Sequence, residues 1–207
     1  MTGRPAVQRI VVGITGASGA AIGVRILELL RDQPEVETHL VVSPWGKRTL
    51  EYETSCTYSD VLALADHHYK PGDQSAPPSS GSFITEGMVI APCSMNTLAS
   101  IANGLSSNLL TRSADVCLKE RRRLVLVPRE SPLSEVHLRN MLTLSRLGAS
   151  IMNPVPAFYT KPQSISDIVD YIAVRTLDQF GIYTEAPRWE GFCPEHTTTM
   201  DTDSDCI

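Results

Sequence analysis

Residues 9–31 read RIVVGITGASGAAIGVRILELLR. An apolar, β-branched run breaks into glycines and a serine and then resumes with helical spacing, the pattern of a buried strand, a tight turn and a helix. At such a junction unpaired N–H groups and the positive helix end converge, so the pattern predicts an anion site and puts a phosphate-bearing ligand first. Gly13, Gly16 and Gly19 give G-x-x-G-x-x-G, which is neither the dinucleotide fingerprint G-x-G-x-x-G nor the nucleotide loop G-x-x-x-x-G-K-[ST]. The glycines therefore serve either backbone geometry alone or a phosphate cradle. Ser18 is placed both to cap the helix and to offer a hydroxyl to a ligand.

Outward from this unit, short apolar runs alternate with longer helical patterns. Strands are predicted at 9–14, 38–43, 88–91, 123–127 and 150–152, and helices at 20–31, 44–54, 59–65, 95–102, 108–121, 134–147 and 166–180. The alternation implies an α/β fold, a three-layer Rossmann-like or flavodoxin-like parallel sheet with helices on both faces. In the last helix Ile168, Tyr171, Ile172, Arg175 and Gln179 recur at three- and four-residue spacing, with Ser164 or Ser166 as the cap. PGDQSAPPSSGS at 71–82 reads as a loop. A single domain is expected over 9–189, with a tail over 1–8 and a polar, acidic, disordered tail over 190–207.

The chain has 207 residues, 42% of them hydrophobic and 20% charged, which suits one soluble domain with a sizeable core. A formal net charge of −5 argues against an extended nucleic-acid surface. No run approaches the roughly 20 apolar residues of a membrane span, and the opening MTGRPAVQR has no apolar leader core, so the expected location is the cytoplasm. The five cysteines are odd in number, dispersed and without a C-x-x-C, as reduced thiols would be. Cys193 and His196 make half a metal site, but no second pair completes it.

A second strand–turn–helix junction, MVIAPCSMNTLASIANG, brackets its helix start with Ser94 and Thr97. Structural capping explains Ser94 equally well. With Ser43, which ends HLVVS, these turns would share the C-terminal edge of the sheet, where open α/β folds bind ligands. Arg129 and Glu130 in PRE fall at another strand end, while Arg112 and Lys119 share one helix face. Tyr159 in PVPAFYTKPQS and Arg175 on the last helix pair a hydroxyl with a guanidinium, donors suited to a phosphate monoester. Trp189 reads as an anchor of the chain end to the surface or to a neighbouring subunit. His67, His68 and His137 fall in segments read as helix surface or loop, no Ser-His-Asp or H-E-x-x-H arrangement appears, and hydrolysis has no carrier. Glu53 and Glu130 remain as carboxylates near the ligand edge.

The blocks GITGASGA, ETHLVVS, YET, SSGSF, GMVIAPCSMNTL, LLTRSADVCLKERRRLVLVPRESPL, NPVPAFYTKPQS and VRTLDQFGI together resemble the UbiX-type flavin prenyltransferases, in order from about Ile10 to Trp189. The resemblance implies an enzyme that joins a dimethylallyl group to N5 and C6 of reduced FMN. Its product, prenylated FMN, serves UbiD-type decarboxylases. By position Gly16, Ala17, Ser18, Ser43, Ser94, Met95, Asn96, Thr97 and Arg129 match FMN contacts, with Ser18 near the reactive edge of the flavin. Tyr159 and Arg175 match the residues that hold dimethylallyl phosphate, Lys119 and Arg112 assist around the phosphate, and Trp189 lies near the prenyl group. Ser18, Glu53, Glu130 and Lys119 match catalytic positions, the two glutamates as acid–base groups.

The resemblance also implies a dodecamer with sites shared between subunits and ionisation of the allylic phosphate, mono- or diphosphate, without a metal. Ile22 departs from the pattern, since many members carry a tyrosine there. Two other readings stand beside it. One is an FMN-dependent cysteine decarboxylase of the related superfamily, which needs a catalytic histidine after the first helix that this chain lacks. The other is a non-catalytic flavin-binding subunit of a decarboxylase complex.

Overall fold

The computed structural model describes residues 7–191, so the C-terminal tail from 192, with Cys193 and His196, lies outside the described residues. The chain alternates β1 (Gln8–Ile14), α1 (Ala20–Arg31), β2 (Val36–Val42), α2 (Pro44–Glu53), α3 (Tyr58–Leu62), β3 (His67–Tyr69), β4 (Gly87–Cys93), α4 (Met95–Ala102), α5 (Leu109–Lys119), β5 (Arg123–Pro128), α6 (Glu135–Arg146), β6 (Ser150–Ile151) and α7 (Ile165–Leu177). All strand pairs are parallel, in the order β3-β2-β1-β4-β5-β6. Side chains alternate across the sheet: Ile10, Val12 and Ile14 pack with α1 and α7, whereas Val11 packs with α4, α5 and α6. The three expected layers result.

Strand β3 corrects the sequence reading, which set His67 and His68 in helix surface or loop. HHY has no apolar alternation, and polar contacts hold it at the sheet edge instead. The His67 ring stacks on His39 at 4.9 Å, and the Asp66 carboxylate accepts from the Thr38 N–H and hydroxyl at 2.8 and 2.9 Å. With five strands the order would be the flavodoxin one; the added edge strand makes it 3-2-1-4-5-6, the order of the dinucleotide folds. The switch point lies between β1 and β4 either way.

Glu37, His39 and His67 bring one ligand-type atom each to within 4.8 Å of one another, a grouping the sequence did not suggest. Arg9 Nε donates to Glu37 at 3.0 Å, and Tyr69 holds His39 Nδ1 at 2.9 Å. Burial holds the His39 ring below the ordinary histidine value, hence neutral. The group is a brace of the β3 edge.

Two glycines permit the close fit of α1. Gly19 starts the helix with φ of 102°, a conformation costly for residues with a Cβ. A Cβ on Gly23 would lie 2.2 Å from the Ala91 carbonyl oxygen, so only glycine lets α1 cross β4 at this distance. Ile22, the departure noted above, is buried in the α1 core. No helix among the described residues is long and apolar enough to cross a membrane.

At the switch point Thr15, 1% exposed, ties the two central turns together. Its hydroxyl donates to the Pro92 carbonyl at 2.7 Å and accepts from the Ser94 N–H at 2.8 Å. Its own N–H reaches the Pro92 carbonyl at 3.2 Å. Thr15→Val keeps the shape and removes both hydroxyl bonds, leaving a buried N–H unpaired, so a loss of about 2 kcal/mol is expected in urea denaturation of the two proteins.

Candidate active site

Four strand ends build a cradle at the C-terminal edge of the sheet. After β1 come Gly16, Ala17 and Ser18, with Gly16 and Ser18 exposed. After β2 comes Ser43, whose backbone N–H donates to the Ile14 carbonyl at 2.9 Å and whose Oγ accepts from Gly46 at 2.9 Å, capping α2. After β4 comes Ser94, which caps α4 by accepting from the Thr97 N–H and donates its hydroxyl to Thr97 at 3.1 Å. Met95 is half-buried at the helix start and Asn96 is exposed beside it. After β5 come Arg129 and Glu130, with the Arg129 N–H bonded to Cys93 at 3.3 Å and the Glu130 carboxylate accepting from the Ser131 N–H at 3.1 Å.

The N-terminus of α1 is already satisfied by the protein itself. Glu53, the last residue of α2, accepts from the Gly19 and Ala20 N–H groups at 2.8 and 3.1 Å. Ser18 therefore does not cap the helix, and the predicted anion is a side chain rather than a ligand phosphate. Partial burial pushes the Glu53 carboxyl up, but hydrogen bonds from Ser18, Gly19 and Ala20 and the charge of Arg129 outweigh it and hold the group below the ordinary value. Ser18 and Glu53 line the same depression at the cradle mouth. Gly16, Ser18, Glu53, Trp45, Arg48 and Tyr52 surround an open depression of about 410 Å³. Trp45 presses on the loop, since a Cβ on Gly16 would meet its own Cβ at 2.4 Å.

A second pocket, of about 310 Å³, is lined by Tyr159, Tyr171, Arg175, Pro187, Arg188 and Trp189. The Tyr159 hydroxyl lies 3.2 Å from that of Tyr171, and the Tyr159 ring meets Trp189 edge to face at 5.3 Å. Arg175 sits in the last turn of α7, one helical turn beyond Tyr171. Tyr171 was read from sequence only as a helix-face residue; its four-residue spacing from Arg175 was the available signal.

The structure does not gather all the expected residues into one place. The turn after α7 lies beside Glu86 and Arg123, at the N-terminal ends of β4 and β5. The cradle is at the opposite ends, a strand length of about 20 Å away at about 3.3 Å per residue. Lys119 and Arg112 lie on α5, across the sheet from α7. Arg112 donates to the Ser79 carbonyl at 3.1 Å and to Asp115 at 2.6 Å, and Lys119 pairs with Glu120.

The family model described as Flavoprotein matches residues 4–177, and the chain belongs to that family. Its relatives narrow the class. A protein of Streptomyces sp. (strain D7), described as a "Probable UbiX-like flavin prenyltransferase", is 58% identical over 89% of this chain and 92% of its own length. The dodecameric FMN-dependent UbiX-like decarboxylase from Escherichia coli O157:H7 is 54% identical, with a TM-score of 0.88 over 89% of this chain and all of that one. AnUbiX (PadA1), solved with FMN and dimethylallyl pyrophosphate, is 52% identical, with a TM-score of 0.85 over 89% of this chain and all of that one. Within the flavoproteins the chain is a member of the UbiX-like flavin prenyltransferases.

Glu53→Gln removes the charge that caps α1. Because the carboxylate is exposed, the expected loss at neutral pH is small, about 1 kcal/mol, of the size of a helix cap. A carboxyl held below its ordinary value of 4.5 stabilises the fold above that value and loses the contribution as pH falls through its folded value. Thermal melts of the two proteins should therefore differ at neutral pH and converge as pH falls through the folded-state value of Glu53.

Proposed function

We propose that this protein is a flavin prenyltransferase that joins the dimethylallyl group of dimethylallyl phosphate to N5 and C6 of reduced FMN, making prenylated FMN for a UbiD-type decarboxylase. The observation that carries the reading is the pairing of a hydroxyl-rich cradle at the switch point with an arginine–tyrosine pocket, in a chain more than half identical to UbiX-like flavin prenyltransferases. The cradle's donor set fits FMN: Ser43 and Thr97 keep an O–H for a ligand, Asn96 is exposed, and Arg129 adds a guanidinium. Gly16, Ala17, Ser18, Ser94 and Met95 complete the wall.

Bound reduced FMN supplies two nucleophilic positions, and the allylic donor supplies the five-carbon unit as its C–O bond breaks and phosphate leaves with the electron pair. Arg175 and the Tyr159 hydroxyl meet the charge that grows on that phosphate, with Lys119 and Arg112 contributing from a neighbouring subunit. The Trp189 and Tyr159 rings face the electron-poor carbon fragment and exclude water. Glu53 and Glu130 receive or return protons at the flavin edge, where Ser18 also points. No step calls on a metal.

A site shared between subunits fits this arrangement: no residue of the pocket lines the depression at the cradle, and the Escherichia coli O157:H7 relative is dodecameric. Exposed apolar side chains such as Tyr52, Phe158 and Ile165, at 92%, 77% and 81%, suit subunit contacts. The cysteine decarboxylase reading loses ground because the first histidine, His39, is buried against Glu37 and Tyr69, away from the crevice. Cys56, Cys93 and Cys117 are free thiols among the described residues, which fits the cytoplasmic setting read from the sequence.

Anaerobic incubation with reduced FMN and dimethylallyl phosphate is expected to give a flavin heavier by one five-carbon unit in mass spectrometry. An unchanged flavin mass with folded protein would refute the assignment. Glu130→Gln should slow the reaction by about a hundredfold, the usual worth of a general acid–base group, and leave FMN binding intact.

A further inference from the structure

Asp178, directly after α7, has a side chain only 5% exposed. Two guanidinium groups converge on it. Arg175 donates from Nη1 to Oδ2, and Arg188 donates from Nη1 to Oδ2 and from Nη2 to Oδ1, both at 2.9 Å. Each arginine leads to the same tyrosine. Arg175 lines the pocket one helical turn from Tyr171, and the Tyr171 hydroxyl reaches that of Tyr159. Arg188 immediately precedes Trp189, whose ring packs on Tyr159. The two arms enclose the pocket.

We propose that Asp178 is a positioning residue for the allylic-phosphate pocket: it aims Arg175 at the phosphate and, through Arg188, holds Trp189 over Tyr159. The proposal rests on the prenyl transfer inferred above. A carboxylate beyond a helix C-terminus opposes the negative helix end, so this position is unfavourable on helix grounds alone. Hydrogen bonds from Arg188, against burial, and then from Arg175 keep the group ionised. Without it two guanidinium groups would face each other across a partly dry pocket and repel. One charge thus fixes the fork of Arg175 and the path of the chain at residues 182–189 together.

Asp178→Asn keeps the shape and removes the charge. With reduced FMN it should raise KM for dimethylallyl phosphate about tenfold, the size of one lost charge-assisted hydrogen bond, while the FMN dissociation constant stays unchanged. Asp178→Glu should recover most of the loss. Trp45 and Trp189 are the chain's two tryptophans, so in a Trp45→Phe background the emission reports on Trp189. Asp178→Asn should shift that emission to the red as the ring leaves Tyr159. An unchanged KM with unchanged emission overturns the proposal. If Asp178→Asn does not fold, Arg188→Gln tests the same arm: a red shift and a higher KM support the proposal, and wild-type values overturn it. Wild-type protein that binds FMN without prenylating it refutes the functional reading instead, and calorimetric binding of dimethylallyl phosphate with the Trp189 emission then decides the role of Asp178.

Discussion

The cradle depends on one buried hydroxyl. Thr15 lies where the sheet reverses its winding, and it joins the turn after β1 to the turn after β4 through Pro92 and Ser94. In a parallel sheet these two turns diverge, one leading to a helix on each face, so nothing in the backbone ladder fixes their separation. A side chain must do so. Ser94 then caps α4, Ser43 is held by the Ile14 carbonyl, and Arg129 hangs from Cys93. Each of these cradle groups is thus one or two bonds from the same point.

The same topology sets the distance between the two halves of the site. Helices α1 and α7 run back against the strand direction, so a residue in the last turn of α7 lies at the N-terminal edge of the sheet. The function proposed above needs the crevice at the C-terminal edge and the arginine in that turn brought together, which a second copy of the chain does in a shared site. Exposed Trp45, beside the crevice, and exposed Phe158, next to Tyr159, offer apolar surface for such a contact.

Much of this was legible in the sequence. The bounds 20–31 and 95–102 of two helices agree with the structure, because Gly19 and Ser94 mark their starts and the apolar spacing is regular. Of the two caps the sequence offered for the last helix Ser164 is the one used, and the strand-end positions of Arg129 and Glu130 were also readable. What escaped was made of long-range polar contacts. Strand β3 exists because His67 stacks on His39 and Asp66 reaches back to Thr38, 28 residues away. The cap of α1 comes from Glu53, 34 residues beyond Gly19, so local pattern assigned it to Ser18. Thr15 carries no signature, since a threonine between a predicted strand and a glycine turn reads as part of the connection. The ring of contacts through Tyr171 and Asp178 was hidden for a related reason: helical periodicity places Tyr171 on a face without revealing its partner.

Glu53 has one more consequence. At the end of α2 its charge opposes the negative end of its own helix, whereas at the start of α1 it neutralises a positive one. One helix is burdened so that the other may begin. The glycine loop is therefore not a portable module: grafted onto another α/β scaffold without α2, it would start its helix with two bare N–H groups and bind whatever small anion the buffer offered. Transplanting the loop means transplanting a pair of helices.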